Sequence, residues 1–369
     1  MALIKVGIVG YGFSATTFHL PFILASKRYE IVAFLQRAAP PSSPPSPDQA
    51  PHCTVEFPDV KHYRNADDFF ADGNIELVVV VTREDTHASF AEKALLAGKH
   101  AIVDKPFARS SVEADHVIQL AKEKKLVITC YQNRRWDSGF LALEALVQDN
   151  ALGKIRDAEI HYDFEVPPPY SNTGPREYVP GGGMSFGFGS HNIDQALVLF
   201  GRPDFVTGFF RPQHGTAREA DESWTIILQY AREDHRDNII VTVKTTAITP
   251  LVNQPKFLKG TKCPQEVHLA EGKKPLDPGF GDEPQEMWGD LITYEMFDDK
   301  VQSYDKESRK YVGKYSVGPG RWVSLYNNLA DAIQGKAELE VKATQSRDAL
   351  RVIELARDSH DKGSTVPWS

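Results

Sequence analysis

Residues 4–15 read IKVGIVGYGFSA, and this stretch decides the fold of the first part of the chain. Its first six residues are mainly apolar with no polar alternation, which predicts a strand covered on both faces, as in a parallel sheet. The strand stops at Gly10, where the sequence fits the pattern G-x-G-x-x-A. We expect a helix from about Ser14, with a break near His19–Pro21, because proline cannot continue an unbroken helix.

A strand, a glycine turn and a helix in this order predict a dinucleotide-binding site. Gly10 allows the tight turn, and Gly12 lets the backbone approach a pyrophosphate. The helix N-terminus, at Phe13 and Ser14, offers N–H groups and positive potential to the phosphates, and Ala15 is small enough to pack on the sheet. A glycine-rich turn without a ligand is the alternative, which the spacing and the context disfavour.

The alternation of strands and helices continues to about residue 130. Further strands are predicted at Ile31–Leu35, Glu76–Thr82, His100–Val103 and Leu126–Cys130, and helices at Phe90–Leu96 and Val112–Lys122. This order predicts a doubly wound parallel sheet, so we expect residues 1–130 to form an N-terminal Rossmann domain. The segment Ala38–Pro51 interrupts the pattern, and its prolines predict an exposed insertion after the second strand.

The pattern changes in the expected second domain, residues 131–369. Amphipathic strands are predicted at Ile155–Val166, Trp224–Tyr230 and Asn238–Ile248, with a hairpin loop at Ala231–Asp237, and helical segments at Ala196–Phe200 and Leu350–Arg357. Strands with one polar face are typical of antiparallel sheets. The segment Thr249–Met287 is rich in Pro, Gly and Lys and predicts no element.

The composition narrows the function classes. The formal net charge of -8 argues against a nucleic-acid partner, which would need a basic surface. The cysteines Cys53, Cys130 and Cys263 are widely spaced, which predicts neither a disulfide framework nor a metal site. No apolar run reaches about 18 residues and no signal peptide is evident, so we expect no membrane segment and take the cytoplasm as the default location.

The end of the second strand bears on the choice of cofactor. NAD sites usually carry Asp or Glu there to accept a hydrogen bond from the ribose 2′-hydroxyl, whereas this chain has Leu35, Gln36 and Arg37. The Arg37 guanidinium could form a fork to a 2′-phosphate. We therefore expect NADP(H), with NAD(H) as the alternative if Arg37 is only a surface cation that the insertion displaces.

A lysine-proline turn follows the predicted strand His100–Val103, with the sequence Asp104, Lys105, Pro106. Open α/β sheets bind ligands at the carboxyl ends of their strands, so Lys105 would point into the ligand crevice. Beside an oxidised nicotinamide the charged form of a lysine is disfavoured, which suits a proton relay. A surface lysine with no role in the chemistry is the alternative.

Further motifs extend along the chain: TREDTH at residues 82–87, AGKH at 97–100, YQNRRWD at 131–137 and GSHNIDQ at 189–195. Together with the glycine and lysine-proline turns, they resemble the glucose–fructose oxidoreductase, inositol dehydrogenase and rhizopine-catabolism (Gfo/Idh/MocA) family. Within it the chain looks most similar to NADP-dependent scyllo-inositol dehydrogenases. The resemblance implies a C-terminal α+β domain with a large, mostly antiparallel sheet, whose open face forms homodimers or homotetramers in relatives.

The resemblance also implies site residues. Lys105, His191 and Asp194 would be catalytic and line the substrate site. The residues implied to lie at the cofactor are Thr82, His87, Asp104, Asn133, Arg134 and Trp136. Further expected substrate contacts are Tyr162, Asp163, Phe164, Tyr170 and Arg176. Their groups suit a polyhydroxy compound, although an ordinary strand and loop would explain them equally well.

Two positions depart from the family pattern. Asp104 stands where relatives usually have Glu, and Gly187 stands where they often carry Asp, four residues before His191. Asp194, about one helical turn further on, could orient the His191 imidazole. In the expected mechanism the cofactor carries the hydride, His191 takes the hydroxyl proton, and Lys105 bonds the same oxygen. A buried structural histidine is the alternative for His191.

The expected function is NADP(H)-dependent transfer of a hydride to or from a secondary alcohol or carbonyl of a sugar, inositol or related polyol. Gly187 leaves a second class open, a dinucleotide-binding regulatory or sensor protein without turnover. The retained Lys105 and His191 argue against that class. A third alternative is a reductase of a non-sugar carbonyl metabolite, because the scaffold alone does not define the site.

Overall fold

The computed structural model describes residues 2–41, 51–163, 181–211, 221–231, 238–246 and 263–369. The chain forms two compact units, one made of Met1–Gln132 and Val323–Leu350, the other of Asn133–Trp322 and Arg351–Ser369. The sequence-based boundary kept residues 131–369 together, whereas Val323–Leu350 groups with the first unit. This grouping depends on long-range packing, which no local pattern in the sequence reports.

Short strands and helices make up both units. The strands are β1 (Ile4–Val9), β2 (Tyr29–Leu35), β3 (Lys61–Tyr63), β4 (Leu77–Val80), β5 (His100–Val103), β6 (Ile128–Cys130), β7 (Asp157–His161), β8 (Phe205–Arg211), β9 (Ser223–Tyr230), β10 (Ile239–Thr246), β11 (Gly289–Thr293), β12 (Gln302–Asp305), β13 (Lys310–Tyr315) and β14 (Val366–Pro367). The α-helices are α1 (Leu20–Ser26), α2 (Cys53–Glu56), α3 (Ala66–Ala71), α4 (His87–Leu96), α5 (Ser111–Lys124), α6 (Ser138–Gln148), α7 (Met184–Gly187), α8 (Gly189–Phe200), α9 (Pro264–Ala270), α10 (Val323–Ile333) and α11 (Ala343–Lys362).

The first unit is built on a six-stranded sheet in the order β3-β2-β1-β4-β5-β6. Every neighbouring pair of these strands is parallel. This is the strand order of a doubly wound dinucleotide-binding fold, so the predicted Rossmann sheet is confirmed. Strand β4 is buried along its whole length, as its unbroken run of Leu and Val predicts for a central parallel strand.

The predicted break in the first helix is confirmed, and it is a change of helix type. Residues Ala15–His19 form a π-helix, and α1 follows with Pro21 in its first turn. The N–H of Leu20 donates to the carbonyl of Ala15, five residues back. Pro21 has no N–H to donate, so a regular α-helical ladder cannot run through this position.

The Pro-rich segment Ala38–Pro51 lies mostly outside the described residues. Its described residues, 38–41 and 51, belong to no helix or strand, and 42–50 lie outside the described ranges. The chain then continues through α2, β3 and α3, which the sequence analysis did not predict. Strand β3 has only three residues and pairs with the edge of the sheet beside β2, so it carries too little apolar pattern to be recognised.

The second unit is built on a five-stranded sheet in the order β14-β8-β9-β10-β7. Its pairs are antiparallel except β7 with β10, which confirms the predicted, mostly antiparallel sheet. Strands β9 and β10 pair as the predicted hairpin, with Tyr230 opposite Ile239, while the loop residues 232–237 lie outside the described ranges. Buried residues alternate with less buried ones along both strands, so one face is covered by protein.

Helix α11 packs closely on β8 at Gly208. A Cβ atom on Gly208 would lie 2.2 Å from the carbonyl oxygen of Ala356, so only glycine permits this approach. The N–H of Gly208 donates to the Ser359 hydroxyl oxygen at 3.1 Å. The helix is longer than the predicted segment Leu350–Arg357, and its outer turns are polar.

A second sheet in this unit, β11-β13-β12, was not predicted. Its pairs are antiparallel, and in β11 only Leu291 is buried. Strands with so little buried surface lack the apolar alternation on which a sequence-based prediction depends.

Candidate active site

The glycine turn after β1 has the backbone that a dinucleotide site requires. Gly10 has φ of 99°, and a Cβ atom there would lie 2.2 Å from the carbonyl oxygen of Val81. At Gly12 an added Cβ would meet no atom within 4 Å, so space is open above the turn. Ala15 is fully buried against the sheet. These are the three properties predicted from the G-x-G-x-x-A pattern.

The two residues between the turn and the π-helix have different environments. Phe13 is 72% exposed, and its ring meets the Phe18 ring edge-on at 5.5 Å. The Ser14 hydroxyl donates to Asp104 Oδ2 at 2.5 Å. The Ser14 side chain therefore binds a protein carboxylate, which leaves its backbone as the part suited to a phosphate.

A cavity of about 490 Å³ opens beside the glycine turn at the ends of β1 and β2. It is lined by Val9, Gly10, Leu35, Gln36, Arg37, Ala38, Arg64, Ala66, Thr82, Arg83, Thr86 and Phe90. Three of these are arginines, and none of the lining residues among the described ranges is Asp or Glu. Arg64 Nε donates to the carbonyl of Arg37 at 3.0 Å, so both side chains start from the same corner of the cavity.

The sequence analysis predicted Arg37 for this place but missed Arg64 and Arg83. Arg64 comes directly after β3, so it could be placed only once that short strand was recognised. Arg83 follows the predicted residue Thr82 along the chain, and its Nε lies 3.6 Å from Asp85 Oδ1. Position after the end of a parallel strand was the available signal for both residues.

Gln36 bonds the C-terminal end of the Pro-rich insertion, at Pro51. Its Nε2 donates to the carbonyl of Pro51 at 3.0 Å, and its Oε1 accepts from the N–H of Cys53 at 3.0 Å. Its own carbonyl accepts from His62 Nε2 at 2.8 Å. The side chain predicted to contact the cofactor thus also holds the wall of the cavity.

His87 braces the lysine-proline turn. Its ring is buried, with Nδ1 at 2.7 Å from the carbonyl oxygen of Pro106 and Nε2 at 3.1 Å from that of Thr82. The Thr82 hydroxyl accepts from the Thr86 hydroxyl at 2.7 Å. His87 therefore links the end of β4 to the turn after β5, while Thr82 lies on the cavity wall.

Asp104 is the centre of a buried polar cluster at the end of β5. Its Oδ1 accepts from the N–H of Lys105 at 2.7 Å, and His19 Nε2 lies 3.7 Å from its Oδ2. Burial raises the pKa of the Asp104 carboxyl, but the neighbouring His19, Lys105 and His87 outweigh it and hold the pKa below its usual value. Lys105 itself is half-buried, and the Lys105–Pro106 peptide bond is cis.

In the second unit, Arg134 and Asp137 of the motif at residues 131–137 belong to a buried ion network. Arg134 Nη1 lies 3.1 Å from Asp137 Oδ2, and its Nη2 lies 2.6 Å from Glu266 Oε1. The Trp322 indole N–H donates to Asp137 Oδ1 at 2.6 Å. Burial, and to a lesser degree Glu266, raises the pKa of Asp137 to about 6, although Arg134 opposes the shift. The Arg134 side chain is thus fixed within this unit.

Asn133 and Trp136 belong to the same turn, a short 3₁₀ helix whose residues are all buried. The carbonyl of Trp136 accepts from the N–H of Arg321 at 2.9 Å. Their contact with a nicotinamide, as the resemblance implies, stays a prediction.

Asp194 has a partner that the sequence analysis did not foresee. Arg135 Nε donates to Asp194 Oδ2 at 2.7 Å, and Arg135 Nη2 donates to Oδ1 at 2.6 Å. Both side chains are buried, so this bidentate pair ties the 3₁₀ turn to α8. Both carboxylate oxygens of Asp194 accept hydrogen bonds from Arg135. The role of Asp194 toward His191 stays a prediction.

His191 lies in the first turn of α8 and is buried. Its backbone N–H donates to the carbonyl of Phe188 at 2.9 Å. Before it, at Gly187, an added Cβ would meet nothing within 4 Å, so the position that departs from the expected family pattern is open.

The turn before His191 is held by a buried acid that the sequence analysis missed. Asp221 accepts from the N–H of Ser185 at 2.8 Å and from the Ser185 hydroxyl at 2.9 Å. Arg357, on α11, forms an ion pair with the same carboxylate. Asp221 has no exposed surface, so these partners are what allows a carboxylate to be buried there.

The expected substrate contacts are only partly described. The buried Tyr162 hydroxyl donates to Gln195 Oε1 at 3.0 Å, and burial raises its pKa above the usual value. Asp163 Oδ1 accepts from the N–H of Thr246 at 3.0 Å, and burial raises the pKa of this carboxyl. Phe164, Tyr170 and Arg176 lie outside the described residues.

Two family models and several known proteins match this chain. Residues 4–132 match the family model described as "Oxidoreductase family, NAD-binding Rossmann fold", and residues 140–261 match "GFO/IDH/MocA C-terminal domain". An uncharacterized oxidoreductase of Schizosaccharomyces pombe is 33% identical, over 99% of this chain and 100% of its own. The scyllo-inositol 2-dehydrogenase (NADP(+)) IolW of Bacillus subtilis is 27% identical, over 98% and 95%. The solved structure of the Bacillus subtilis oxidoreductase yvaA superposes with a TM-score of 0.83 at 27% identity, covering 100% and 99%.

Proposed function

Because the chain belongs to the Gfo/Idh/MocA family of NAD(P)-binding oxidoreductases, dehydrogenases that act on CH–OH groups, we propose that it uses NADP(H) to interconvert a secondary alcohol and a carbonyl of a sugar, inositol or related polyol. The observation that carries this proposal is the cavity beside the glycine turn, whose described lining has three arginines and no carboxylate. Of the relatives, IolW is named as an NADP(+)-dependent scyllo-inositol 2-dehydrogenase.

The preference for NADP(H) follows from the charges around the cavity. A 2′-phosphate carries negative charge and several strong acceptor oxygens, which guanidinium groups bind in forks. Hydrogen bonds to charged groups contribute about 1.5–3 kcal/mol each. NAD(H) has only a 2′-hydroxyl, which usually donates to Asp or Glu, and the part of the lining that the structure describes has neither residue. Arg37 and Arg64 are therefore our candidates for the 2′-phosphate, and Arg83 also lines the cavity.

The residues present fit a dinucleotide. The positive φ of Gly10 makes the tight turn, and the open space at Gly12 admits a pyrophosphate close to the backbone. Helical N–H groups from Phe13 onward supply donors to the phosphates. When bound, the nicotinamide supplies or accepts the hydride.

The protein's own part in the reaction is to orient the substrate and move one proton. We assign the proton at the reacting oxygen to His191, and a hydrogen bond from Nζ to the same oxygen to Lys105. The Arg135–Asp194 pair holds α8, on which His191 lies, and the Ser185–Asp221 bonds hold the turn before it. Asp194, Tyr162 and Arg176 remain our candidates for further substrate contacts.

The proposal also covers the oligomeric state of the protein and its place in the cell. We propose a homodimer or homotetramer that forms through the open face of the five-stranded sheet, acting in the cytoplasm. On that face Phe205, Gln229 and Ile240 lie opposite one another in register. Phe205, Phe209 and Ile240 are exposed apolar side chains, which is typical of a surface that another subunit covers.

The experiment follows oxidation of NADPH by absorbance against a panel of inososes and aldoses, with NADH as the comparison cofactor. Turnover with at least one member, and a preference for NADPH, supports the proposal. Replacing His191 by Ala should lower kcat strongly while the Kd of NADPH stays within about threefold, because the imidazole moves a proton and does not hold the nucleotide. An unchanged kcat would remove His191 from the mechanism.

One observation favours a second candidate function, a dinucleotide-binding sensor. The open space at Gly187 lacks the carboxylate that relatives often carry beside the catalytic histidine. Micromolar NADPH binding without turnover of any panel member would support the sensor. Turnover of a non-sugar ketone alone would instead support a reductase of another metabolite class.

A further inference from the structure

A buried histidine lies behind the lysine-proline turn, and the mechanism above does not use it. His19 is the last residue of the π-helix and has no exposed surface. Its Nδ1 is 2.7 Å from the hydroxyl oxygen of Tyr326, and its ring lies 4.0 Å from the Tyr131 ring. Its Nε2 lies 3.7 Å from Asp104 Oδ2, beyond hydrogen-bond distance, and makes no hydrogen bond within the described residues. Burying a polar ring away from water costs free energy, which interactions with neighbouring polar or charged groups must offset.

The π-helix explains how His19 reaches Asp104. Ser14 and His19 are five residues apart, and in an α-helix with 3.6 residues per turn they would point about 140° apart. The wider π-turn brings residues five apart toward one face. As a result the Ser14 hydroxyl bonds Asp104 Oδ2 at 2.5 Å, and His19 Nε2 lies 3.7 Å from the same oxygen.

Asp104 connects these residues to the backbone of Lys105. While Oδ2 faces Ser14 and His19, Oδ1 accepts from the backbone N–H of Lys105 at 2.7 Å. On the other side of the turn, His87 Nδ1 is 2.7 Å from the carbonyl oxygen of Pro106. The backbone N–H of Lys105 is therefore held by a carboxylate that also accepts from Ser14 and lies close to His19.

We propose that His19 is a positioning residue for the lysine of the active site: with Tyr326 behind it, it holds the Asp104 carboxylate that fixes Lys105. The proposal rests on the proposed function, in which Lys105 bonds the reacting oxygen. The groups whose charge acts on the Asp104 carboxyl include His19, Lys105 and His87, and Tyr131 and Tyr326 lie against His19. Loss of His19 therefore changes both the position and the electrostatics of the carboxylate.

The test compares His19→Phe, which keeps an aromatic ring without polar atoms, with His19→Gln, which keeps a polar group. His116→Phe is the matched control, since His116 is largely exposed on α5. We expect His19→Phe to lower kcat about tenfold, equivalent to about 1.4 kcal/mol, with the Kd of NADPH within about threefold. In the direction of carbonyl reduction, the alkaline limb of the profile of kcat against pH should shift relative to that of the wild type. His19→Gln should recover part of kcat, and the control should match the wild type.

A purely structural role gives a different result. If His19→Phe lowers Tm but keeps kcat and the pH profile of the wild type, the proposal is overturned. If His19→Phe does not fold, Tyr326→Phe replaces it, because this change removes only the hydroxyl that bonds His19 Nδ1. The same loss of kcat is then expected, and an unchanged kcat and pH profile overturns the proposal.

A readout without turnover separates this proposal from the proposed function. The backbone amide of Lys105 can be observed by NMR after selective ¹⁵N-lysine labelling, with Lys105→Arg identifying the resonance. We expect the Lys105 amide to shift in His19→Phe and in Asp104→Asn, and to stay unchanged in His116→Phe. If the wild type turns over no panel member but this shift occurs, the proposed function fails while the link from His19 to Lys105 stands. An amide that does not move in His19→Phe overturns the proposal.

Discussion

At the scale of single residues, the proposed preference for NADP(H) depends on a few guanidinium groups at the cavity. Arg37 and Arg64 are both exposed on its wall, and Arg64 Nε bonds the Arg37 carbonyl. Replacing Arg64 by Ala should raise the Kd of NADPH about tenfold or more, because one charge-assisted fork to the 2′-phosphate is lost. The Kd of NADH should stay nearly constant, and isothermal titration calorimetry measures both.

Arg109→Ala is the control for this change. Arg109 is also an exposed arginine of the first unit, but it pairs with Glu113 and does not line the cavity. Both Kd values should stay at the wild-type level in this variant. Equal losses for NADPH and NADH in Arg64→Ala would contradict a role at the 2′-phosphate.

The residue scale also separates what the sequence could predict from what it could not. Gly10, Gly12 and Ala15 were predicted because a single local pattern defines their roles. Asp221 was missed, since its partners Ser185 and Arg357 are distant in the sequence. Nothing in a sequence shows which carboxylate will be buried beside a given turn, so ion pairs of this kind need the fold first.

At the scale of elements, apolar pattern decided which parts of the fold were predictable. Strand β4 was predicted because all of its residues are apolar and buried. Strands β12 and β13 were not, because polar residues such as Ser303 and Lys314 interrupt any alternation. The break in the first helix was predicted from Pro21, but its form as a π-helix was not, since propensity does not distinguish helix types.

Two glycines in different elements test the packing argument. Gly187 ends α7 with open space beside it, so Gly187→Ala should keep or raise the free energy of unfolding, by up to about 1 kcal/mol, because the unfolded chain loses freedom. Gly208 lies against Ala356 on α11, so Gly208→Ala should lower the free energy of unfolding by about 1–3 kcal/mol or more. Chemical denaturation of the two variants makes the comparison, and equal effects would contradict the close approach of α11 to β8.

At the scale of the whole molecule, the open sheet face predicts assembly. Light scattering after size exclusion should give the mass of two or four chains for the wild type. Phe209→Glu should shift the mass toward one chain, because a charge would then be buried in an apolar interface. Val112→Glu changes an exposed apolar residue on α5 and should leave the mass unchanged. A wild-type protein that already runs as one chain would contradict the assembly.

Stability of the whole molecule should depend on pH through Asp137. Two carboxylates, Asp137 and Glu266, share the single guanidinium of Arg134. Burial, and the like charge of Glu266, raise the pKa of Asp137 to about 6 from the usual value of 3.8. Between these two values the folded protein keeps a proton that the unfolded chain has lost. The contribution of Asp137 is therefore fully present below about pH 4 and falls as the pH rises through about 6.

Asp137→Asn removes this dependence on pH. The asparagine keeps an acceptor oxygen for the Trp322 indole, and it is a favoured N-cap residue for α6. The difference in the free energy of unfolding between wild type and Asp137→Asn should therefore change with pH, on the order of 1–3 kcal/mol between pH 4 and pH 7. In Glu266→Gln the like charge is gone, so the pKa of Asp137 should fall and the drop in stability should begin at lower pH. Urea unfolding at several pH values measures both effects. If the wild type and Asp137→Asn differ by the same amount at every pH, Asp137 does not hold a proton in the folded protein at pH 5.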